Sequence, residues 1–367
     1  MKTFSILTLA LATTAAFAGT TYSVDFIGEV PGYSYTTAYG LNDHGVVAGY
    51  GYTGIAGHSQ AFSWTKAGGI QTLPTLGGLD SQAMAVNNAG NVVGYSSVFS
   101  GYGRATLWSP DNVAHNMGLP AGAHQDFALA INNRDEAVGF YTNDSNNAGT
   151  ACILSYGFAQ ESLGMLPGDS VSFARSINDN GMVVGESSGP TGVRSFSWTR
   201  GGGMVEIPIG EQFNYAKDVN LSGQVIGNST TNGIAGNRDW LFSATDGIRY
   251  LGTMGSDDAT YVNSINDAGV IVGYSSGLNN HAVSWTLSGG FVDLNTQLDA
   301  GSLGWSIEDA LNINNTGQIL AIGTYNVGGV VYGGSVLLTP NVAPVPEPAS
   351  LAALGLGAVA LLRRRKK

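Results

Sequence analysis

The chain has 367 residues, of which only 11% are charged and 54 are glycine, whereas roughly 25% of residues are charged in a typical soluble protein. Without Lys2 and the five basic residues from Arg363 to Lys367, nine basic residues stand against 26 acidic ones, a formal charge near −17. Such an acidic chain argues against nucleic acid or an anionic membrane surface as its partner. The single cysteine, Cys152, excludes an intrachain disulfide, and its apolar strand position favours a buried, inert thiol over a nucleophile.

Residues 1–18 have the three parts of a secretory signal peptide. Lys2 supplies the positive start, the stretch from Phe4 to Ala16 is apolar, and Ala16-Phe17-Ala18 fits a small-x-small cleavage site. A transmembrane anchor is the alternative, but the apolar run is short for a bilayer. We therefore predict export through the Sec pathway, with cleavage after Ala18.

The central part of the chain repeats one pattern seven times: an aliphatic residue, Asn, two variable residues, Gly, an aliphatic pair and a second Gly. Successive Asn residues are 42 to 48 positions apart, a period typical of β-propeller blades. Asn bonds its own backbone two residues on, and Gly accepts a positive φ, so each Asn-x-x-Gly predicts a tight turn. The predicted turn positions are Asn42 and Gly45, Asn87 and Gly90, Asn132, Asn178 and Gly181, Asn220 and Gly223, Asn266 and Gly269, and Asn314 and Gly317; the third copy has Asp135 instead of Gly.

Each repeat also predicts four short strands; in the first they are YTTAYGLN, VVAGYG, QAFSWT and GIQTLPTL. The residue before each Asn is aliphatic, the residue two before it is small or polar, and Ala or Val stands four before it. The period of two in a strand places the aliphatic set on one face and the small set on the other. Neither face is patterned for water, which indicates a strand packed between neighbours beside a central axis.

The two ends of the repeat region complement each other. The seventh repeat stops after its third strand, GGSVLLTP, and the segment from Tyr22 to Ile27 resembles the last strand of a repeat displaced to the front. We therefore predict an all-β domain over residues 19–340, a seven-bladed β-propeller of four-stranded antiparallel blades closed by the N-terminal strand. An open β-solenoid is the alternative, but it requires atypical capping repeats, which the sequence does not show.

After residue 340 the composition changes. A proline-rich linker is followed by an apolar run from Ala349 to Leu362 and then by Arg363 to Lys367. This run predicts a short C-terminal hydrophobic helix of roughly 21 Å, which can insert transiently into a bilayer of about 30 Å if its flanks snorkel, with its basic end cytoplasmic.

The tail over residues 341–367 resembles the PEP-CTERM sorting signal of Gram-negative bacteria. The residues that carry the resemblance are Pro346, Glu347 and Pro348, followed by the apolar run and by Arg363, Arg364 and Arg365. The resemblance implies processing by the membrane protease exosortase near the Pro-Glu-Pro motif. It also implies a place in the cell envelope, on the surface or in the extracellular matrix, often in bacteria that build exopolysaccharide or biofilm. A simple C-terminal membrane anchor is the alternative.

Residues 35–340 resemble the HAF-type extracellular repeat family. Its pattern is Ile-Asn-x-x-Gly-x-Val-Val-Gly, then His-Ala-Phe-x-Trp, then Leu-Gly-x-Leu-Gly-Gly. The first element is clear here, whereas the second survives only as His281-Ala282-Val283 and Gln60-Ala61-Phe62. The family implies no catalytic residues for this chain.

The sequence offers little that indicates catalysis. The five histidines, His44, His58, His115, His124 and His281, lack metal-ligand spacing, and turns such as NDAG lack the alternating carboxylates of an EF-hand, so we expect neither metal nor cofactor. Acidic residues on inner strands are Asp126, Asp218, Glu308 and Asp309, with Arg175 and Lys217 also on inner strands and no clustered pattern. We predict a non-enzymatic, monomeric surface or matrix protein with a binding or a structural role, for which exopolysaccharide or surface proteins are the expected partners. The alternative is a carbohydrate-active or other hydrolytic propeller that uses acids at the mouth of its tunnel.

Overall fold

The computed structural model describes residues 20–54, 58–143, 148–230, 238–277 and 279–341. The predicted signal peptide, the C-terminal hydrophobic helix and the sorting motif lie outside these residues. Among the described residues, the helices are two short 3₁₀ turns, Leu294–Gln297 and Ala300–Ser302. No helix in those ranges has the length and apolar character needed to cross a membrane.

The described chain is built from groups of four antiparallel strands, most of which follow one another in chain order. The first three sheets consist of β2 (Tyr35–Leu41), β3 (Val47–Tyr52), β4 (Ser59–Thr65) and β5 (Gly69–Thr72); β6 (Gly77–Val86), β7 (Val92–Val98), β8 (Gly103–Trp108) and β9 (Ala114–Asn116); and β10 (Ala123–Ile131), β11 (Ala137–Asn143), β12 (Gly149–Leu154) and β13 (Glu161–Gly164).

The next two groups of four are joined into one eight-stranded sheet by a single parallel pairing of Val193 with Phe213. They are β14 (Val171–Ile177), β15 (Val183–Gly189), β16 (Gly192–Thr199) and β17 (Gly203–Glu206), then β18 (Phe213–Val219), β19 (Val225–Thr230), β20 (Arg238–Ser243) and β21 (Gly247–Tyr250). Another four-stranded sheet follows, formed by β22 (Ala259–Ile265), β23 (Ile271–Ser276), β24 (Asn280–Thr286) and β25 (Gly290–Asp293).

The last sheet joins the two ends of the described chain. It contains β26 (Trp305–Ile313), β27 (Ile319–Val327), β28 (Val330–Asn341) and, as its fourth strand, β1 (Thr21–Phe26). β1 runs antiparallel to β28, from Thr21 opposite Asn341 to Phe26 opposite Val336. The predicted use of the N-terminal strand is therefore confirmed, and the pairing protects an edge that would otherwise be open.

Apolar clusters lie between neighbouring sheets rather than within them. One contains Ala38, Leu41 and Phe62 of the first sheet together with Leu320 and Leu337 of the last. The large apolar residue of each third strand, such as Trp64 or Trp198, is buried in these clusters, except in the fifth group, where Phe242 is half-buried. The predicted all-β class is confirmed, and stacked four-stranded antiparallel sheets are consistent with a β-propeller.

Every inner strand contains a β-bulge at the residue three before its Asn. In β2, for example, Ala38 lies opposite Gly49 and Gly40 opposite Ala48, so Tyr39 has no partner of its own. A bulge interrupts the period of two. Ala38 therefore lies on the same core-facing side as Leu41, and not with the small residue at position 40 as strict alternation would have it.

The bulge also explains the second Gly of the repeat. A Cβ added to Gly49 would overlap the carbonyl oxygen of Thr37, and each equivalent Gly would meet its own inner strand in the same way. The last copy has Ala321 at this position, and there the inner strand β26 contains an additional bulge between Ile307 and Asp309. Register shifts outside the shared bulge also occur in β6 and β10, so the additional bulge is not specific to the copy with a Cβ at this position.

A candidate binding site in the central channel

The predicted Asn-x-x-Gly turns connect the first and second strands of each sheet. In the first, Oδ1 of Asn42 accepts hydrogen bonds from the backbone N–H of His44 at 3.0 Å and of Val46 at 2.9 Å. Gly45 has φ of 74°, and its N–H donates to the carbonyl oxygen of Asn42 at 3.1 Å. In the third turn Asp135 takes the left-handed conformation with φ of 60°.

The seven turn asparagines also bond to one another. The Nδ2 of Asn42 donates to the carbonyl oxygen of Asn87 at 2.8 Å, and every following Asn repeats this bond to the next. Asn314 completes the series with a 2.8 Å bond to the carbonyl oxygen of Asn42. Sequence reasoning assigned these residues to turns alone. The missed signal is that all seven are Asn, because Asp accepts the same turn bonds but has no amide to donate.

A second series of hydrogen bonds lies one residue further along. The backbone N–H of Asp43 donates to Oδ1 of Asn88 at 2.9 Å, and the pattern continues around the channel except at Leu221, whose side chain has no acceptor. The Asp43 carboxylate itself accepts from Asn315 and from Asn88, each at 2.8 Å. The acidic residues at this end therefore connect neighbouring turns.

Above this ring the inner strands enclose a cavity of about 450 Å³. Its wall is formed mainly by the residues two and three before each Asn, the pair that the bulge turns inward. Toward the first three sheets and the last one, the wall is largely apolar, with Tyr39, Met84, Leu129 and Leu311. Toward the fourth to sixth groups of strands it is polar and charged, with Arg175, Glu186, Lys217, Asp218 and Asn263. The residues that line the cavity thus depart from the repeat pattern on the side of the fourth to sixth groups of strands.

Asp218 is held by four donors from three neighbouring strand groups. Its Oδ1 accepts from the hydroxyl of Ser176 at 2.6 Å and from its neighbour's N–H, that of Val219, at 2.9 Å. Its Oδ2 accepts from the hydroxyl of Ser264 at 2.8 Å and the N–H of Ile265 at 3.0 Å. Burial raises the pKa of Asp218, while these donors oppose the shift. The carboxylate therefore connects the strand groups.

Arg175 and Glu186 form a charged pair across two strands of one sheet. The guanidinium Nε lies 2.9 and 3.0 Å from the two carboxylate oxygens of Glu186, and Nη2 also contacts this carboxylate. Sequence reasoning missed Glu186, which lies on a second strand. Its signal was available, because the other copies have Tyr50, Tyr95, Phe140, Asn228, Tyr274 and Ile322 at the same position, and none of these is charged.

Lys217 is positioned in the channel beside this pair. Its side chain lines the cavity and is exposed to the solvent of the channel, and within the described ranges its ammonium forms no hydrogen bond and no ion pair. Burial lowers the pKa of Lys217, the nearby charge of Arg175 lowers it further, and Glu186 and Asp239 act in the opposite direction.

The other predicted acidic residues are not brought together with Asp218. Asp126 is fully buried, accepts hydrogen bonds from the N–H of Ala105 at 3.1 Å and from Gln160 at 2.7 Å, and has its pKa raised to about 6 by burial. Glu308 faces a side cleft and accepts from Thr324.

Asp309 accepts a 2.8 Å hydrogen bond from Nδ2 of Asn263, and burial raises the pKa of Asp309 to about 6. Asp309 is thus connected to the channel wall by its hydrogen bond with Asn263, which lines the cavity.

Aromatic side chains are concentrated around the channel. The residues five before the Asn and just after the second-strand Gly face each other in register, as Phe127 and Phe140 do at a ring-centroid distance of 4.9 Å. Tyr261 and Tyr274 stack in the same way at 4.7 Å, and Tyr39 stacks on Tyr50 at 5.8 Å. These rings are half-buried or exposed, so part of their surface remains available.

The other residues considered for catalysis or metal binding are not grouped into one site. Cys152 is fully buried, and burial raises the pKa of its thiol. His281 has ring nitrogens 3.8 Å from Asp257 and 3.9 Å from Asp293, beyond hydrogen-bond distance. Over the part of the chain that the structure describes, no three His, Cys, Asp or Glu side chains are grouped as metal ligands would be.

The tail and the fold both resemble known proteins. Residues 344–366 match the model of the PEP-CTERM protein-sorting motif. This match confirms the prediction made from the Pro-Glu-Pro tail and implies a secreted protein of the cell envelope that exosortase processes. The HAF-type resemblance stays a prediction. No curated protein matches the chain.

Among solved structures, a catalytically inactive variant of virginiamycin B lyase from Staphylococcus aureus with quinupristin is 9% identical, with a TM-score of 0.53 over 87% of this chain and 99% of that one. A streptogramin B lyase is 12% identical, with a TM-score of 0.52 over 88% and 98%. A puromycin hydrolase is 12% identical, with a TM-score of 0.55 over 80% of this chain and 50% of that one. At such identities the likeness shows a shared β-propeller fold and nothing of function.

Proposed function

We propose that this protein is a seven-bladed propeller, exported through Sec, monomeric, and placed on the cell surface or in the extracellular matrix, where its channel binds a glycan without cleaving it. The seven blades are inferred from the closed series of seven turn asparagines and from the pairing of β1 with β28. The sorting motif supports the location, and exopolysaccharide is the glycan that we expect there.

The observation that carries the proposal is the one-sided chemistry of the channel. Five of the inner-strand positions three before Asn are uncharged, whereas Arg175 and Lys217 occupy the fourth and fifth copies. A purely structural ring has no need of charges at these two positions. Ligand sites are concave and mostly apolar, with a few polar groups that converge on one place, which describes this channel.

Aromatic rings favour a glycan as the ligand. Tyr39 and Tyr215 both line the cavity and keep part of their surface exposed. A sugar ring has an apolar C–H face and a hydroxyl edge, so it suits aromatic faces beside polar groups such as Asn263 and Asn312. Stacking and hydrogen bonding in one cavity then give both affinity and orientation.

The acids of the channel favour binding over catalysis. Both oxygens of Asp218 are occupied by protein donors, and both oxygens of Glu186 by Arg175. A general acid or base must instead reach a proton of the substrate directly or through one water. Neither carboxylate is placed for that step.

A hydrolase is the second candidate, and Asp309 is the observation that favours it. With a pKa raised to about 6, this carboxyl exchanges a proton near neutral pH, as a catalytic acid does. Its partner would be another carboxylate across the ligand.

The test combines binding with product analysis. The exported, processed protein is incubated with exopolysaccharide from the producing strain; binding is measured by calorimetry and cleavage by release of reducing ends. We expect saturable binding, weakened in Tyr39→Ala and Tyr215→Ala, with no new reducing ends above a heat-denatured control. Release of reducing ends that Asp309→Asn abolishes would establish the hydrolase instead.

A further inference from the structure

The charged groups in and beside the channel have hydrogen-bonded protein partners, with one exception. Arg175 is paired with Glu186 through bonds of 2.9 and 3.0 Å, and Asp218 is occupied by four donors. Asp309 accepts from Asn263. Lys217 is the channel cation that, among the described residues, has neither a carboxylate nor a carbonyl within bonding distance.

The Lys217 ammonium is exposed to solvent in the channel and has charged groups nearby, but it has no bonded partner among the described residues. The groups that act on Lys217 are Arg175 from the neighbouring inner strand, Glu186 from the strand beside it, and Asp239 from β20. Glu186 is already neutralised by Arg175, and Asp239 is almost fully buried. Desolvation without a close partner disfavours the charged form of a lysine. An anionic group entering the channel would supply the missing partner.

We propose that the channel selects an acidic glycan, in which the carboxylate of a uronic-acid unit pairs with Lys217 while the sugar ring lies against Tyr215 and Tyr39. This inference rests on the proposed glycan binding and adds the class of sugar. Lys217 belongs to the fifth group of strands and Tyr39 to the first, so a ligand bound to both spans the channel. An ionised acceptor makes the hydrogen bonds of an ammonium shorter and stronger than a neutral hydroxyl does.

A carboxylate can also come from a peptide. Tyr39 and Tyr215 favour the sugar, because the C–H face of a sugar ring stacks on exposed aromatic surface of the kind that both rings offer to the cavity. The acidic net charge of the whole protein opposes the approach of an acidic glycan at long range. Salt screens that repulsion beyond about 8 Å at physiological ionic strength, whereas contacts inside the channel are screened much less.

The test compares ligands that differ only in charge. The processed full-length protein is titrated with tetragalacturonate, with its methyl ester and with a tetrapeptide that ends in a free carboxylate. We expect the acid to bind roughly tenfold or more tightly than the ester, as a charge-assisted bond predicts. We also expect Lys217→Met to bind the acid as weakly as the ester, and Lys217→Arg to retain most of the preference.

Controls separate charge from folding and separate the two proposals. Lys66→Met removes an exposed lysine that pairs with Asp25 on the outside, and it should bind as the wild type does. Equal binding of acid and ester, or an unchanged preference in Lys217→Met, would overturn the acidic selectivity and leave glycan binding in place. Failure of both sugars would overturn the two proposals together. Tighter binding of the peptide than of either sugar would show that the carboxylate that pairs with Lys217 comes from a peptide and not from a sugar.

Discussion

The side-chain amide of Asn314 donates a 2.8 Å hydrogen bond to the carbonyl oxygen of Asn42, which lies 272 residues earlier in the chain. The same bond links every neighbouring pair of turn asparagines, so one residue type closes a turn within its own sheet and also fastens that sheet to the next. This double role connects the inner strands of the described chain, whose inward-facing residues line the channel.

The double role of the turn asparagines predicts different costs for two substitutions. Asn178 donates to Asn220 at 2.8 Å and accepts from the N–H of Asn180 and of Met182, each at 3.0 Å. Asn178→Ala leaves buried groups unpaired and should lower the free energy of unfolding by about 2–4 kcal/mol. Asn178→Asp keeps the acceptors but loses the donor, and it should also destabilise, as measured by chemical denaturation.

The control for this pair is Asn280→Ala at an exposed strand start, which should change the unfolding free energy little. If Asn178→Asp unfolds at the wild-type midpoint, the bond between sheets contributes nothing and the account of the ring is wrong.

Two substitutions of one residue in the N-terminal strand should have different effects on stability. Tyr22 is fully buried among Leu294, Val336 and Leu338, and its hydroxyl has no hydrogen-bond partner in the described part of the chain. Tyr22→Ala should therefore cost about 3–5 kcal/mol of unfolding free energy by opening a cavity. Tyr22→Phe should be neutral or slightly stabilising, because it removes a buried polar group that nothing satisfies. Thermal denaturation distinguishes the two, and a strong loss in Tyr22→Phe would show that the hydroxyl is bonded in solution.

Buried carboxyls make stability depend on pH in a defined direction. Burial raises the pKa of Asp126 to about 6, above its ordinary value of 3.8, so the folded state binds this proton more tightly than the unfolded state does. Stability should therefore increase as the pH falls from about 7.5 to about 5, by about 1 kcal/mol for this group. Asp126→Asn keeps the acceptor for the N–H of Ala105 and should reduce the slope, as followed by denaturation midpoints across that range. If the dependence of stability on pH is the same in Asp126→Asn as in the wild type, groups other than Asp126 cause it.

The C-terminal sorting motif predicts where the protein is located after export. Replacing Pro346, Glu347 and Pro348 with alanine should leave the protein unprocessed and held in the membrane fraction, because the sorting motif of residues 344–366 is disrupted. Fractionation and immunoblotting of the producing strain would show this directly. A matched replacement of Asn341 should leave processing intact, and wild-type release of the altered tail would refute the role of the motif.

The repeat period and the position of Asn were sufficient to predict the all-β fold, the turns and the strand exchange between the two ends. The β-bulge of each inner strand was not predictable in this way, because assigning residues to the two faces of a strand assumes that they alternate regularly. It places Ala38 with Leu41 and turns Tyr39 and its equivalents into the channel, and only backbone geometry reveals this.

The same limit applies to the candidate site. The sequence placed Arg175, Lys217 and Asp218 on inner strands without a clustered pattern. It did not indicate that Ser176 and Ser264, from two other strand groups, would occupy the Asp218 carboxylate. Contacts between residues more than 40 positions apart depend on the rise and stagger of neighbouring sheets. That is why Asp126 proved to lie away from the channel wall although it resembled the other acids in sequence.

The proposed function requires that the channel bind an intact glycan on its charged side. A crystal structure of the processed protein with tetragalacturonate tests it most directly. We predict an uncleaved oligosaccharide with a carboxylate beside the Lys217 ammonium and a sugar ring on Tyr215 or Tyr39. An empty channel with the sugar bound elsewhere, or a cleaved product beside Asp309, would contradict the account.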